Sequence, residues 1–457
     1  MILRSRILAC VSSLLVLSGC AIDLDQSLGF GDSGGAGGSG AASLVVGDEP
    51  FAVKVGASIL SQGGSAVDAA TAMYFALAVT YPVAAGLGGG GICIVHDAAA
   101  TEEFDFLARD SAGGGAYAVP GNVRGFALMQ GLYGVLPWQR DLAPGEGYAA
   151  AGFPISRALS ARLVAAQAVI RLDAGLAAEF LDESGVAKPA GTIVANAELA
   201  ATLAAIRTGG PNGFYRGQVG ARILAYSSLQ GGAIGVAEFA RSSATRRTPQ
   251  ALQLGSQFVF LPSQQTGAGA FAGALFETLG RAQDTSVGQN DLEASVVVAV
   301  KQALARFGVT NLPQDLGATG FAASDGRGQS VACAVTMNGP FGSGHNAAGT
   351  GVTLALAPSS GQAGLAAAFI TPVIATDGSN GAISLVGVGA GGPNGTAAMG
   401  YALGRLARGE ALSRRSDLRS TGVAPFDTIN AIVCQNGACV ALSDPAFDGL
   451  GAAGDPR

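Results

Sequence analysis

The stretch that most constrains the fold is residues 66–97, AVDAATAMYFALAVTYPVAAGLGGGGICIVHD. Residues 66–79 are small and apolar on nearly every face, so a helix made from them needs cover on both sides. Ser65 is placed to cap that helix, with Asp68 in its first turn. Upstream, 51–60 has helical periodicity and ends in Gln62-Gly63-Gly64. Downstream, the helical run stops at Tyr81-Pro82 and gives way to the glycine run 86–91 and a strand over 92–96. Glycines in that position allow backbone to pack on backbone. The run lacks the Lys-Ser/Thr ending of a phosphate loop, so that reading is rejected.

The rest of the composition fits such a core. The chain has 457 residues, enough for one large domain or two small ones, with 49% hydrophobic residues, 13% charged residues and 71 glycines. The formal net charge of −6 gives no basic footprint for nucleic acid. The two histidines, His96 and His345, are too few and too far apart for a zinc site, and no metal or cofactor is expected. We find no internal repeats.

The N-terminus reads as a targeting segment. Arg4 and Arg6 precede the apolar stretch 7–17, and Leu17-Ser18-Gly19-Cys20 follows. That ending resembles a bacterial lipobox. The resemblance implies a signal peptide over 1–19, cleavage before Cys20 and lipidation of its sulfur, so the membrane would be met through an N-terminal lipid. Ala21 in place of aspartate favours the periplasmic face of the outer membrane. Residues 26–43 are rich in Gly and Ser and read as a tether (20–43 including the lipidated cysteine). About 18 such residues reach roughly 20–25 Å. No later segment reads as membrane-spanning.

Export would place the chain in an oxidising compartment. Asn436-Gly437 is a two-residue hairpin signal. It sets Gln435 opposite Ala438 and Cys434 opposite Cys439, a spacing that suits a disulfide. Cys93 and Cys333 lie in apolar strand-like runs and read as buried free thiols.

Residues 317–344 read GATGFAASDGRGQSVACAVTMNGPFGSG. This block resembles the start of the small subunit of γ-glutamyltransferases, and 63–97 resembles the start of their large subunit. Asp325, Gly328, Thr336, Asn338, Phe341, Gly342 and Gly344 are in register with the family pattern without gaps. Further landmarks keep the family order over about 43–410. The resemblance implies an α+β fold, the four-layer αββα sandwich of the N-terminal-nucleophile hydrolases. It divides the domain into a large-subunit-like part over 44–317 and a small-subunit-like part over 318–457. Strand pairs near 92–96, 104–108, 320–325 and 330–336, alternating with helical runs, fit a layered core.

In that family the precursor cuts itself before a threonine, and the freed threonine is the nucleophile. The register puts Ala318 on that threonine, Thr319 on the threonine after it and Gly320 on the next family position, a histidine. An alanine has no hydroxyl to attack a carbonyl. The family match also implies roles for residues that are retained. Arg109 would hold a substrate carboxylate bidentately. A salt bridge from Arg109 to Glu102, Glu103 or Asp110 is its plain alternative. Thr336 and Asn338 would support the nucleophile and the substrate amine, and a spacing of two puts both on one strand face. Gly391 and Gly392 would supply an oxyanion hole. Against this, 354–360 (LALAPSS) carries no acid for a substrate amine, and Ala368 and Phe369 stand where the family has serines.

Two functions follow. In the first, the chain stays uncut and acts without amide chemistry, binding an amino acid or peptide through Arg109 or serving as an envelope scaffold. In the second, it cuts before Thr319 and uses that residue on γ-glutamyl or related amides. The second requires a bulge, since a one-residue shift along a strand reverses the side-chain direction.

Overall fold

The structure, a computed structural model, describes residues 37–39, 43–98, 100–283, 289–419 and 426–454. The signal segment, Cys20 and most of the tether lie outside the described residues.

Two antiparallel seven-stranded sheets form the body of the chain. Their strands are β1 (Gly37–Ser39), β2 (Ser43–Gly47), β3 (Gly90–Asp97), β4 (Ala100–Asp105), β5 (Thr245–Arg247), β6 (Gln250–Leu254) and β7 (Gln257–Leu261), followed by β8 (Ala318–Asp325), β9 (Ser330–Thr336), β10 (Thr371–Asp377), β11 (Ile383–Ala390), β12 (Thr428–Gln435), β13 (Ala438–Leu442) and β14 (Leu450–Ala453). One sheet runs β1-β13-β12-β11-β10-β7-β6 and the other β14-β2-β8-β9-β3-β4-β5. β1 falls within the stretch read as a tether; it pairs with the edge strand β13.

The helices cover the outer faces. α1 (Pro50–Ser61) packs over β2 and β14, and α2 (Ala66–Thr80) over β8 and β9. All of α2 is buried, as its sequence requires, and Ser65 and Asp68 form a reciprocal capping box at its start. α3 (Arg157–Ile170) lies in the same layer. On the other outer face, α4 (Gly267–Gln283), α5 (Gln289–Arg306) and α6 (Pro393–Ala407) pack together over β10, β11 and β12. Three apolar clusters follow from this layering: one under each helical layer, and one between the sheets built from Ala322, Ala332, Ala334, Val386, Val388 and similar residues. Alanine, valine and isoleucine make up nearly all of the middle layer, and the sheets approach closely. A Cβ on Gly320 would lie 2.4 Å from Val388 Cγ1. The architecture is therefore helix–sheet–sheet–helix, as expected.

Some local expectations change. β4 ends at Asp105, not at 108, because Leu107 N–H turns back to Asp105 Oδ1 at 3.1 Å. Cys93 and Cys333, expected as free thiols, are bonded. They are directly opposed on paired strands β3 and β9 with their Cα atoms 4.1 Å apart, close enough for a bridge. Cys434 and Cys439 are bonded across the β12–β13 hairpin, and the turn residues Asn436 and Gly437 both have positive φ. Among the described residues, no helix is long and apolar enough to cross a membrane.

Candidate functional site

β8 begins at Ala318, and its pairing with β9 sets Ala318 opposite Thr336 and Thr319 opposite Val335. Strand alternation then separates the two candidate positions. Ala318 belongs to the cluster between the sheets. Phe321, on the same side of the strand as Thr319, belongs to the cluster under α2. Ala318 is 1% exposed and Thr319 fully buried.

Thr336 secures the backbone ahead of Ala318. Its hydroxyl donates to Gly317 O at 3.0 Å and accepts from Asn338 N–H at 2.9 Å. Asn338 is not on the strand. It sits beyond the end of β9 with φ 60°, and its amide donates to Leu356 O at 2.8 Å. The shared strand face expected for Thr336 and Asn338 is therefore absent, because the chain leaves β9 at Met337.

A buried ion pair lies against Ala318. Arg162, on α3, donates through Nη1 to Ala318 O at 3.0 Å and through Nε to Asp315 Oδ2 at 2.9 Å, with a second short bond from Nη2 to Asp315 Oδ1. Asp315 also accepts Gly317 N–H at 2.7 Å. The Arg162 guanidinium lies 5.3 Å from the ring centres of both Tyr81 and Phe426. Burial disfavours its charge, but Asp315 outweighs that and leaves it firmly protonated.

The glycine pair is covered by the chain itself. Gly391 and Gly392 end β11 and lead into α6, and Gly391 has φ 92°. A Cβ on Gly391 would stand 1.9 Å from Phe426 O, and one on Gly392 would stand 2.3 Å from Asp427 Oδ1. Asp427 accepts Asn394 N–H at 3.0 Å, so its carboxylate occupies the N-terminus of α6. Burial raises the Asp427 carboxyl to about 7, against the lowering effect of Asn394. The Asp427 carboxylate thus stands against Gly392, one of the two glycines expected to form an oxyanion hole.

On the other side of β8, Thr319 Oγ1 donates to Asp48 Oδ2 at 2.6 Å. Asp48 also accepts from Thr428 Oγ1 at 3.1 Å and from Asn430 Nδ2 at 2.7 Å. One buried carboxylate therefore ties Thr319 on one sheet to two residues of β12 on the other.

Arg109 stands apart from these bonds. Its side chain is 57% exposed and pairs with Asp105 at 3.6 Å, not with any of the three partners expected. The reason is the early end of β4. Glu103 is buried and accepts Ser263 N–H, Glu102 pairs with Arg246, and Asp110 accepts from Ser359. Ala108, its neighbour in the chain, packs with Met337 and Ala355.

The sequence reading missed Asp48, Arg162, Asp315 and Asp427. Arg162 carried one signal, an arginine on the same helix face as Ala158, Leu159, Leu163, Ala166 and Ile170. Asp315 lies only three residues before Ala318. Nothing local marks Asp48 or Asp427 as partners. Among the described residues, no group of three or more His, Cys, Asp or Glu side chains could hold a metal ion.

Two stacked antiparallel sheets between two helical layers are the layering of the N-terminal-nucleophile hydrolase sandwich. The gamma-glutamyltranspeptidase family profile matches residues 52–306, more than half of the chain, and the chain belongs to that family. Glutathione hydrolase 2 of Arabidopsis thaliana is 32% identical over 234 residues, 47% of this chain and 40% of that protein. The glutathione hydrolase proenzyme of Escherichia coli is 32% identical over 229 residues, 45% of this chain and 39% of that protein. The chain spans about two fifths of the length of these curated relatives. Among solved structures, cephalosporin acylase from Bacillus halodurans superposes with a TM-score of 0.73 at 18% identity over 93% of this chain and 98% of that one, a likeness of fold. Helicobacter pylori gamma-glutamyltranspeptidase gives a TM-score of 0.52 at 26% identity over 57% of this chain and 81% of that one.

Proposed function

We propose that this chain is an uncut, non-catalytic member of the family, lipid-anchored through Cys20 on the periplasmic face of a bacterial outer membrane. It binds a small carboxylate-bearing ligand, an amino acid or peptide, through Arg109. The observation that carries the reading is the occupation of the site by the chain itself. Ala318 offers no nucleophile, Arg162 holds its carbonyl, Phe426 O stands against Gly391 and the Asp427 carboxylate against Gly392. The test is the intact mass of the mature protein together with turnover of a γ-glutamyl anilide. One full-length species and no turnover are expected; turnover, or a new N-terminus at Thr319, overturns the reading.

A second reading has one specific observation in its favour. Thr319 Oγ1 sits beside its own preceding carbonyl, with Asp48 placed to take the hydroxyl proton and Arg162 Nη1 on Ala318 O. Attack of Oγ1 on the Ala318 carbonyl carbon would break the Ala318–Thr319 amide, pass the proton to the new amine and leave an ester for water to cleave. The freed Thr319 would still be buried on the face away from the glycine pair. Cleavage abolished by Asp48→Asn is the signature of this route.

A further inference from the structure

At the end of the sandwich opposite Ala318 the sheets diverge. The β8–β9 turn, the β10–β11 turn and the β12–β13 hairpin line a cavity of about 710 Å³. Its wall includes Ser324, Ser330, Ser384 and both cysteines of the hairpin, Cys434 and Cys439. Those cysteines are half-buried and pack against the small-residue cluster between the sheets, so their disulfide forms part of the cavity wall. Cys93 and Cys333, by contrast, are fully buried.

The hairpin does not depend on the disulfide alone for its place. β12 and β13 are paired over Ala431–Gln435 and Ala438–Leu442. Gln435 donates to Glu410 O at 2.9 Å and accepts Leu412 N–H at 2.9 Å, which ties the hairpin to the loop after α6. The sulfur–sulfur bond can therefore open while the frame around it persists. The wall is rich in hydroxyl and amide groups and carries the carboxylate of Asp377; no Lys or Arg lines it among the described residues.

We propose that this cavity docks small thiols bearing neutral or cationic polar groups, and that Cys434–Cys439 exchanges with them while Cys93–Cys333 does not. In the first step the incoming thiolate attacks one hairpin sulfur. A mixed disulfide forms, the Cys434–Cys439 bond breaks, and the other cysteine leaves as a thiolate that takes a proton from water. A second thiol resolves the mixed disulfide. The net change reduces the protein disulfide by two electrons and oxidises two thiols to their own disulfide.

The test treats the native mature protein with cysteamine, 2-mercaptoethanol or 2-mercaptoethanesulfonate, then alkylates it and maps the peptides. Rates are normalised to each thiol's reaction with the unfolded protein. Labelling at Cys434 and Cys439 should outpace labelling at Cys93 and Cys333 by roughly tenfold or more, since access governs exchange. Cysteamine should exceed 2-mercaptoethanesulfonate several-fold, and Asp377→Asn, a change at the rim, should erase that preference. Equal rates at the two disulfides, no reaction at the hairpin, or the same normalised rate for all three thiols overturns the proposal.

Discussion

The same two sheets behave differently at their two ends. At the Ala318 end, Asp48 accepts from Thr319 on one sheet and from Thr428 and Asn430 on the other, and Arg162 and Asp427 fill the remaining space. At the hairpin end, serines and a half-buried disulfide face an open cavity. A buried charge is tolerated only where it is paired and hydrogen-bonded. The first end meets that demand with side chains of its own. The second end leaves polar groups to water, and so it is accessible. In this chain the position matching the family's nucleophile lies at the first end, and a cavity of about 710 Å³ lies at the second.

The two disulfides give the largest contrast that can be measured. Cys93 and Cys333 are 240 residues apart, Cys434 and Cys439 only five. In the chain-entropy view a bridge stabilises by restricting the unfolded chain, more so for longer loops. Replacing Cys93 and Cys333 together by alanine should cost about 5 kcal/mol, against about 2 kcal/mol for Cys434 and Cys439. Urea unfolding of the two double variants checks this. Equal losses would mean that the buried bridge is not what fastens the β3–β9 pair.

Next in size is the ion pair at the Ala318 end. Arg162→Met leaves Asp315 buried without its partner, and stability should fall by about 3–5 kcal/mol. Adding Asp315→Leu should recover most of that loss, because no unpaired charge then remains. A single variant as stable as the parent would mean that the Ala318 end is held by packing alone.

How much of this was legible depends on the range of each interaction. The buried helix 66–80 was readable because its cap, its first-turn acid and its apolar faces lie within one stretch. The hairpin at Asn436-Gly437 was readable for the same reason. Asp48 and Thr319 are 271 residues apart and Arg162 and Asp315 are 153 apart, so no local pattern announces either contact. The Cys93–Cys333 bond needed the knowledge that β3 and β9 are neighbours in exact register opposition. Arg109 was read as holding a carboxylate or pairing with Glu102, Glu103 or Asp110, and its partner Asp105 was missed because the strand stops three residues earlier than expected.

A smaller effect separates the ends by pH. The Asp427 carboxyl titrates near 7 in the folded chain, above its ordinary value of 3.8, with burial as the main cause. The folded state therefore binds more protons than the unfolded chain between about pH 4 and 7, and stability falls as pH rises through that window. Asp427→Asn should remove that slope and stabilise the protein at pH 8 by on the order of 1–2 kcal/mol. Thermal melts at pH 5 and pH 8 would show it. An unchanged slope would mean that Asp427 is ionised throughout and acts as an ordinary helix cap.

The smallest expected effect is the most informative about function. Ala318→Thr restores a hydroxyl at the start of β8. If the missing oxygen were the whole difference from an active relative, the variant would cut itself and acquire turnover. The packing at the Ala318 end predicts otherwise. The new side chain would enter the packed layer between the sheets, at a position already 1% exposed, and overpacking there typically costs about 1–3 kcal/mol. Residue 318's own carbonyl would stay held by Arg162, and the Asp427 carboxylate would stay against Gly392. The intact mass should stay that of a single chain, and a γ-glutamyl anilide should remain untouched. Two fragments split before residue 318 would break the comparison at its centre, because they would show that the side chains filling this end yield to one hydroxyl.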